Sequence, residues 1–139
     1  MRHRKKGFKL NRSSPHRKSL LRNLATSLIL NGKITTTVSK AKALRCLVDR
    51  LFVKSLSGGL AARRYLLSYL YSKKAVNKVF FEWLKEPPTK RSGFCRIYKL
   101  GWRKGDGADL ALVKLSIQSK SEQKLGESTD KSAQTTTAL

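Results

Sequence analysis

The sequence predicts a single α/β domain of the α+β kind, in which a helix, a short strand and three helices precede two final strands, with a basic extended N-terminal arm in front. Three observations carry this. Apolar residues recur at helical spacings between about residues 20 and 84, one β-branched run at 33–38 interrupts them, and after Gly93 the pattern changes from helical to alternating. A chain of 139 residues suits one domain of ordinary size with flexible ends.

The arm is defined by charge. Thirteen Lys and Arg side chains precede Asp49, the first acidic residue, and the whole chain carries a formal charge of +23 from 31 basic and 8 acidic residues. Like charges at this density repel one another, so a polyanionic partner is expected to supply the opposite sign. After Met1, residues 1–14 hold only Phe8 and Leu10 as apolar side chains. That is too little for the amphipathic helix of an organellar transit peptide, the main alternative for such a start.

The arm ends at Ser13, Ser14 and Pro15. Ser14 suits a helix N-cap and Pro15 the first helical position, where the missing N–H costs nothing. The first helix is expected to run to about Asn31 with Leu21, Leu24, Ala25 and Leu28 inward, Lys18, Arg22 and Thr26 on another side, and Gly32 as its stop. Lys33 to Val38 is rich in β-branched residues and reads as a short strand, with Ile34, Thr36 and Val38 on one face.

Ser39 then suits the cap of a second helix, whose stripe is Leu44, Leu47, Val48, Leu51 and Phe52. Lys40, Lys42 and Arg45 lie opposite, and Asp49 is spaced to pair weakly with Arg45. Ser57, Gly58 and Gly59 break this helix, and another spans Leu60 to about Tyr71, with Arg63 and Arg64 outward beside Leu66, Leu67 and Leu70. Ser72 opens a fourth, with Val76, Val79, Phe80, Trp83 and Leu84 as core, and Pro87 and Pro88 end it. Phe94 to Leu100 and Leu110 to Ile117 read as a β-hairpin around Gly101, Gly105, Asp106 and Gly107. Residues 118–139 contain no aromatic side chain, and their three lysines balance three acids, so a disordered polar tail outside the electrostatic footprint is expected. The domains are thus an arm at 1–14, a globular unit at 15–117 and a tail at 118–139.

Several function classes lack their chemistry. No apolar run approaches the length that spans a bilayer. Cys46 and Cys95 are too few for a disulfide framework and read as small buried hydrophobes; with His3 and His16 they offer no zinc-ligand spacing, so neither metal nor cofactor is expected. For an RNA-processing enzyme the close acids are Glu82 with Glu86 and Asp106 with Asp109, which a solvated helix face and turn chemistry explain. A free-standing DNA-binding protein would concentrate its cations on one recognition helix, whereas these are spread over an arm, three helices and a loop.

RNA binding fits the pattern. Arg2, Arg4, Lys5, Lys6, Lys9, Arg12 and Arg17 are candidates for phosphate contact, and His3 and His16 for neutral hydrogen bonding or stacking. Arg22, Lys40 and Arg45 extend this surface. In the hairpin loop, Trp102 stands beside Arg103 and Lys104, where it either meets an RNA base or phosphate or tucks onto the sheet.

Three stretches resemble one family. MRHRKKGFKLNRSSPHRKSLLRNL at residues 1–24, LNGKITTTVSKAKALR at 30–45 and LGWRKGD at 100–106 are similar to ribosomal protein seventeen of the bacterial large subunit, and the likeness extends to about residue 117. It implies helices packed on a small mixed sheet, a structural and non-catalytic role, and no small-molecule substrate. It also implies large-subunit ribosomal RNA and neighbouring small ribosomal proteins as partners, near where the nascent chain leaves. A cytoplasmic bacterial ribosome is the implied location, with an organellar ribosome as the lesser alternative. Cys46 and Trp102 depart from the family, standing where proline is common.

Overall fold

The computed structural model describes residues 7–84 and 92–116. Arg2, His3, Arg4, Lys5 and Lys6, the Pro87–Pro88 stop, Glu86, Ile117 and the tail therefore lie outside the described residues.

Helix α1, Ser14–Asn31, begins one residue earlier than expected: Ser13 is the N-cap, and its side chain makes no cap hydrogen bond. Gly32 closes the helix in the left-handed conformation at φ 72°, donating its N–H to the Leu28 carbonyl at 2.8 Å. Ala25, Leu28 and Ile29 are fully buried. Thr26, assigned to the outer side from the sequence, is buried as well. Its hydroxyl donates to the Arg22 carbonyl at 2.8 Å and accepts the Tyr71 N–H at 3.4 Å, which satisfies the polar group as the chain after the third helix covers it.

Strand β1 is Lys33–Thr37, and Val38 already belongs to helix α2, Val38–Leu56, whose N-cap is Thr37 rather than Ser39. The stripe Leu44, Leu47, Val48, Leu51 and Phe52 is buried as its spacing requires. Asp49 does not pair with Arg45. Its Oδ1 accepts the Phe94 backbone N–H at 3.0 Å, tying the helix to the start of the hairpin. The thiols also divide: Cys95 is buried but Cys46 is exposed, because Cys46 sits on the side of α2 that turns away from the stripe.

Helix α3 spans Gly59–Tyr69 and helix α4 spans Lys73–Lys78 with Ser72 as N-cap. The fourth helix does not continue as an α-helix. Val79–Trp83 forms a single π-helical turn, confirmed by Leu84 N–H bonding to the Val79 carbonyl at 2.9 Å. Val76 and Val79 are buried, and Phe80, Trp83 and Leu84 pack against the core, whereas Phe81 stays 66% exposed. Trp83 Nε1 reaches the Ile29 carbonyl at 3.4 Å, and Lys78 Nζ reaches the Leu30 carbonyl at 2.8 Å, so the carbonyl end of α1 receives a cation where its dipole favours one.

The hairpin strands are β2, Cys95–Trp102, and β3, Asp109–Leu115. The sheet order is β1-β3-β2 and both pairings are antiparallel, so the sheet is not mixed as the resemblance implied. Ala111, Val113 and Leu115 alternate into the core beneath α1 and α2, and Ile34 and Ile97 flank Val113 in register. The residues between them face outward on the opposite side of the sheet. One layer of helices therefore covers one sheet face and leaves the other open.

Candidate nucleic-acid interface

Four acidic side chains fall among the described residues, and three have structural partners. Asp49 holds Phe94, Glu82 lies 3.4 Å from Lys78, and Asp106 pairs with Arg103. Lys78 and Arg103 are thus the cations with an acidic partner among the described residues. The other cations among the described residues have no acidic partner there, and three groups of them form distinct surfaces.

The first is the end of the arm. Leu10 and Asn11 adopt left-handed φ of 55° and 52°, so residues 9–12 form a turn. For Leu10 this conformation costs roughly 1–2 kcal/mol. Arginines hold it: Arg17 Nη1 donates to the carbonyls of Lys9 and Arg12 at 3.3 and 3.2 Å, and Arg12 Nη1 donates to the Leu10 carbonyl at 3.1 Å. Arg12 and Arg17 therefore shape the arm's exit from α1, while Lys9 and His16 remain exposed beside them.

Arg22 has a different part. Its guanidinium lies 5.0 Å from the Tyr69 ring and 5.4 Å from the Tyr71 ring and donates to the Ser68 carbonyl, so it stitches α1 to the end of α3. The Tyr71 hydroxyl bonds Ser19 at 3.3 Å, and that contact, followed by Arg22, lowers its pKa; burial raises that of Tyr69.

The second surface is the hairpin loop with the first turn of α2. Arg103 grips Asp106 through Nε at 2.9 Å and through a second, shorter bond from Nη2. This hydrogen bonding holds the Asp106 carboxyl down at about 2. Arg103 N–H to the Ala108 carbonyl at 2.9 Å and Gly107 N–H to the Arg103 carbonyl at 3.0 Å complete the turn. Arg103 is thereby engaged within the loop, whereas Lys104 is exposed and Trp102 is 80% exposed. Trp102 is not tucked onto the sheet. It lines a cleft of about 430 Å³ together with Val38, Lys42, Lys99, Gly101, Asp109 and Leu110. The α2 first turn contains no acid and no side-chain cap, so its N-terminal dipole adds to the positive field of that turn. Lys40 is half-buried there, and Arg45 is exposed farther along α2.

The third surface was missed from the sequence. On the open sheet face, Lys114 stands directly between Lys33 and Arg96 in the strand register, with Tyr98 beside Leu112 two positions along. Three cations in a row across adjacent strands disfavour the free fold, which makes this row another anion-seeking element. The signal was strand alternation, but it needed the pairing register, which spacing alone does not supply. Lys42 and Lys99 were likewise outside the candidate set because the cleft joins residues more than fifty positions apart.

Among the described residues, no three His, Cys, Asp or Glu side chains group as metal ligands, and no helix is long and apolar enough to cross a membrane.

Comparison with known proteins identifies the family. Residues 20–116 match the family described as Ribosomal protein L17. The chain is 47% identical over 117 residues to the large ribosomal subunit protein bL17 of Gemmatimonas aurantiaca, covering 84% of this chain and 99% of that one. It is 50% identical over 116 residues to bL17 of Thermus thermophilus, covering 83% and 98%, and 38% identical over 133 residues to that of Acidobacterium capsulatum, covering 96% and 81%. The chain belongs to the ribosomal protein L17 family.

Proposed function

We propose that this protein is a structural constituent of the bacterial large ribosomal subunit, in the cytoplasm, and that it binds ribosomal RNA through its arm and basic surfaces without catalysing a reaction. The observation that carries the reading is a family member whose fold leaves its positive charge uncompensated. Each cation settled on a phosphate releases condensed counterions, so even six such contacts would dominate affinity. The arm cations Arg2, Arg4, Lys5, Lys6 and Lys9 are assigned to phosphates, with Lys40, Arg45 and Lys104 extending the contact. Arg12, Arg17, Arg22 and Arg103 act chiefly by fixing the shape of the surfaces that carry these cations. Among the described residues, Glu82 and Asp106 each face a cation, which suits structural ion pairs. Neighbouring small ribosomal proteins are its other expected partners, and Leu60 and Phe81, 63% and 66% exposed, are the side chains suited to such a contact.

Sedimenting a cell extract at moderate and then at high salt tests the reading. The protein is expected to travel with large subunits at moderate salt and to leave them only at high salt. Migration with DNA, or as a free protein at both salts, would overturn it.

A further inference from the structure

The cleft beside α2 has the makings of a more selective RNA site. A large indole left 80% exposed contributes little to the core, yet Trp102 lines the cleft from the end of β2. The Arg103–Asp106 grip and the Arg103–Ala108 bond close the turn immediately after it, and the strand shifts register between Lys99 and Gly101, a bulge of the sort that re-aims side chains next to binding sites. Lys42 and Lys99 line the same cleft and have no acidic partner among the described residues. At about 430 Å³ the space falls in the range of pockets that take small ligands.

We propose, building on the RNA-binding reading, that this cleft holds one unstacked nucleotide of single-stranded RNA, its base against the Trp102 indole and its phosphates at Lys42 and Lys99. Stacking on an aromatic side chain tolerates any base, since every base has a π-face, but it requires a base free of its helix. Asp109 sharpens the orientation. It lines the cleft and pairs with Trp102 in the strand register, and a carboxylate there would repel phosphate and accept a hydrogen bond from a base N–H, so the base belongs at that end. The cleft therefore discriminates single strands from duplexes, which the arm does not: phosphate contacts read charge on either form.

The test uses the full chain grown with 5-fluorotryptophan, whose two tryptophans give two fluorine resonances, assigned with Trp102→Phe. A short single-stranded RNA should shift the Trp102 resonance and leave that of Trp83 in place, while a duplex of the same sequence shifts neither. Trp102→Ala should lose roughly tenfold in affinity for the single strand and little for the duplex. A Trp102 resonance that ignores the single strand, or equal losses for both RNAs, overturns the cleft proposal. Failure of the chain to bind either RNA would instead overturn the broader RNA-binding reading, so the two failures are distinguishable.

Discussion

Asp49 offers the sharpest test of how this fold is joined, because one carboxylate bridges its helical and sheet layers. Asp49→Ala removes the acceptor for the Phe94 N–H, a 3.0 Å bond to a residue only 2% exposed whose ring stacks on Phe52 at 5.2 Å. The Phe94 carbonyl is already taken by the Ser116 N–H at 2.8 Å, so local rearrangement to recover the lost bond would break a second one. A hydrogen bond to a charged group is worth about 1.5–3 kcal/mol, and alanine returns about 0.5 kcal/mol of helix propensity. The net loss should be near 2 kcal/mol, or roughly 10 °C in melting temperature for a domain of this size. Asp49→Asn keeps an acceptor oxygen and should cost clearly less. Thermal unfolding followed by circular dichroism reads both variants. If Asp49→Ala melts within about 2 °C of the parent, the bond contributes little to the fold, and if Asn costs as much as Ala, charge rather than this bond is what Asp49 supplies.

Further expectations concern the thiols and one glycine. Iodoacetamide at neutral pH should label Cys46 quickly and Cys95 only after denaturation; equal rates would contradict the burial of Cys95. Burial, with help from Asp49, pushes the Cys95 thiol from near 9 up to about 12. Since its folded value is raised, the stabilisation is complete below pH 9 and is lost as pH climbs towards 12, where the unfolded chain ionises and the folded one does not. The stability difference between the parent and Cys95→Ala should accordingly shrink between about pH 8 and pH 10.5, and a constant difference in denaturant titrations would refute this. Gly32→Ala should cost about 1 kcal/mol through its positive φ alone, because the added Cβ would meet Trp83 at an unstrained 3.6 Å. A loss several times larger in the same denaturant titrations would mean that the Trp83 contact is tighter than it looks.

Much of the fold was legible in periodicity. The α2 stripe from Leu44 to Phe52, the Gly32 stop and the change to alternation near Phe94 each follow from local chemistry, and each stands where spacing put it. What spacing missed depends on distant parts of the chain. Thr26 is buried because the segment at Tyr71 covers it, and the π turn at Val79–Trp83 accompanies the packing of Trp83 on the end of α1. The candidate surface was legible as charge but not as geometry. Counting cations singled out Arg22 and Arg103 alongside Lys9, yet only their partners, Tyr69 with Tyr71 and Asp106, show that these two shape the protein. Lys42 and Lys99 came together only in the cleft, and the row of Lys33, Lys114 and Arg96 only through the pairing of β1 and β2 with β3.

The most direct measurement is the salt dependence of affinity for a large-subunit RNA fragment, compared between the full chain and a chain lacking residues 1–12. That truncation removes six cations: Arg2, Arg4, Lys5, Lys6, Lys9 and Arg12. At roughly 0.9 per phosphate neutralised, the log–log slope should become shallower by about 4.5 for the five of these, all but Arg12, that are assigned to phosphates. A slope unchanged by the truncation would contradict the account, because the arm's charge would then have no phosphate partner.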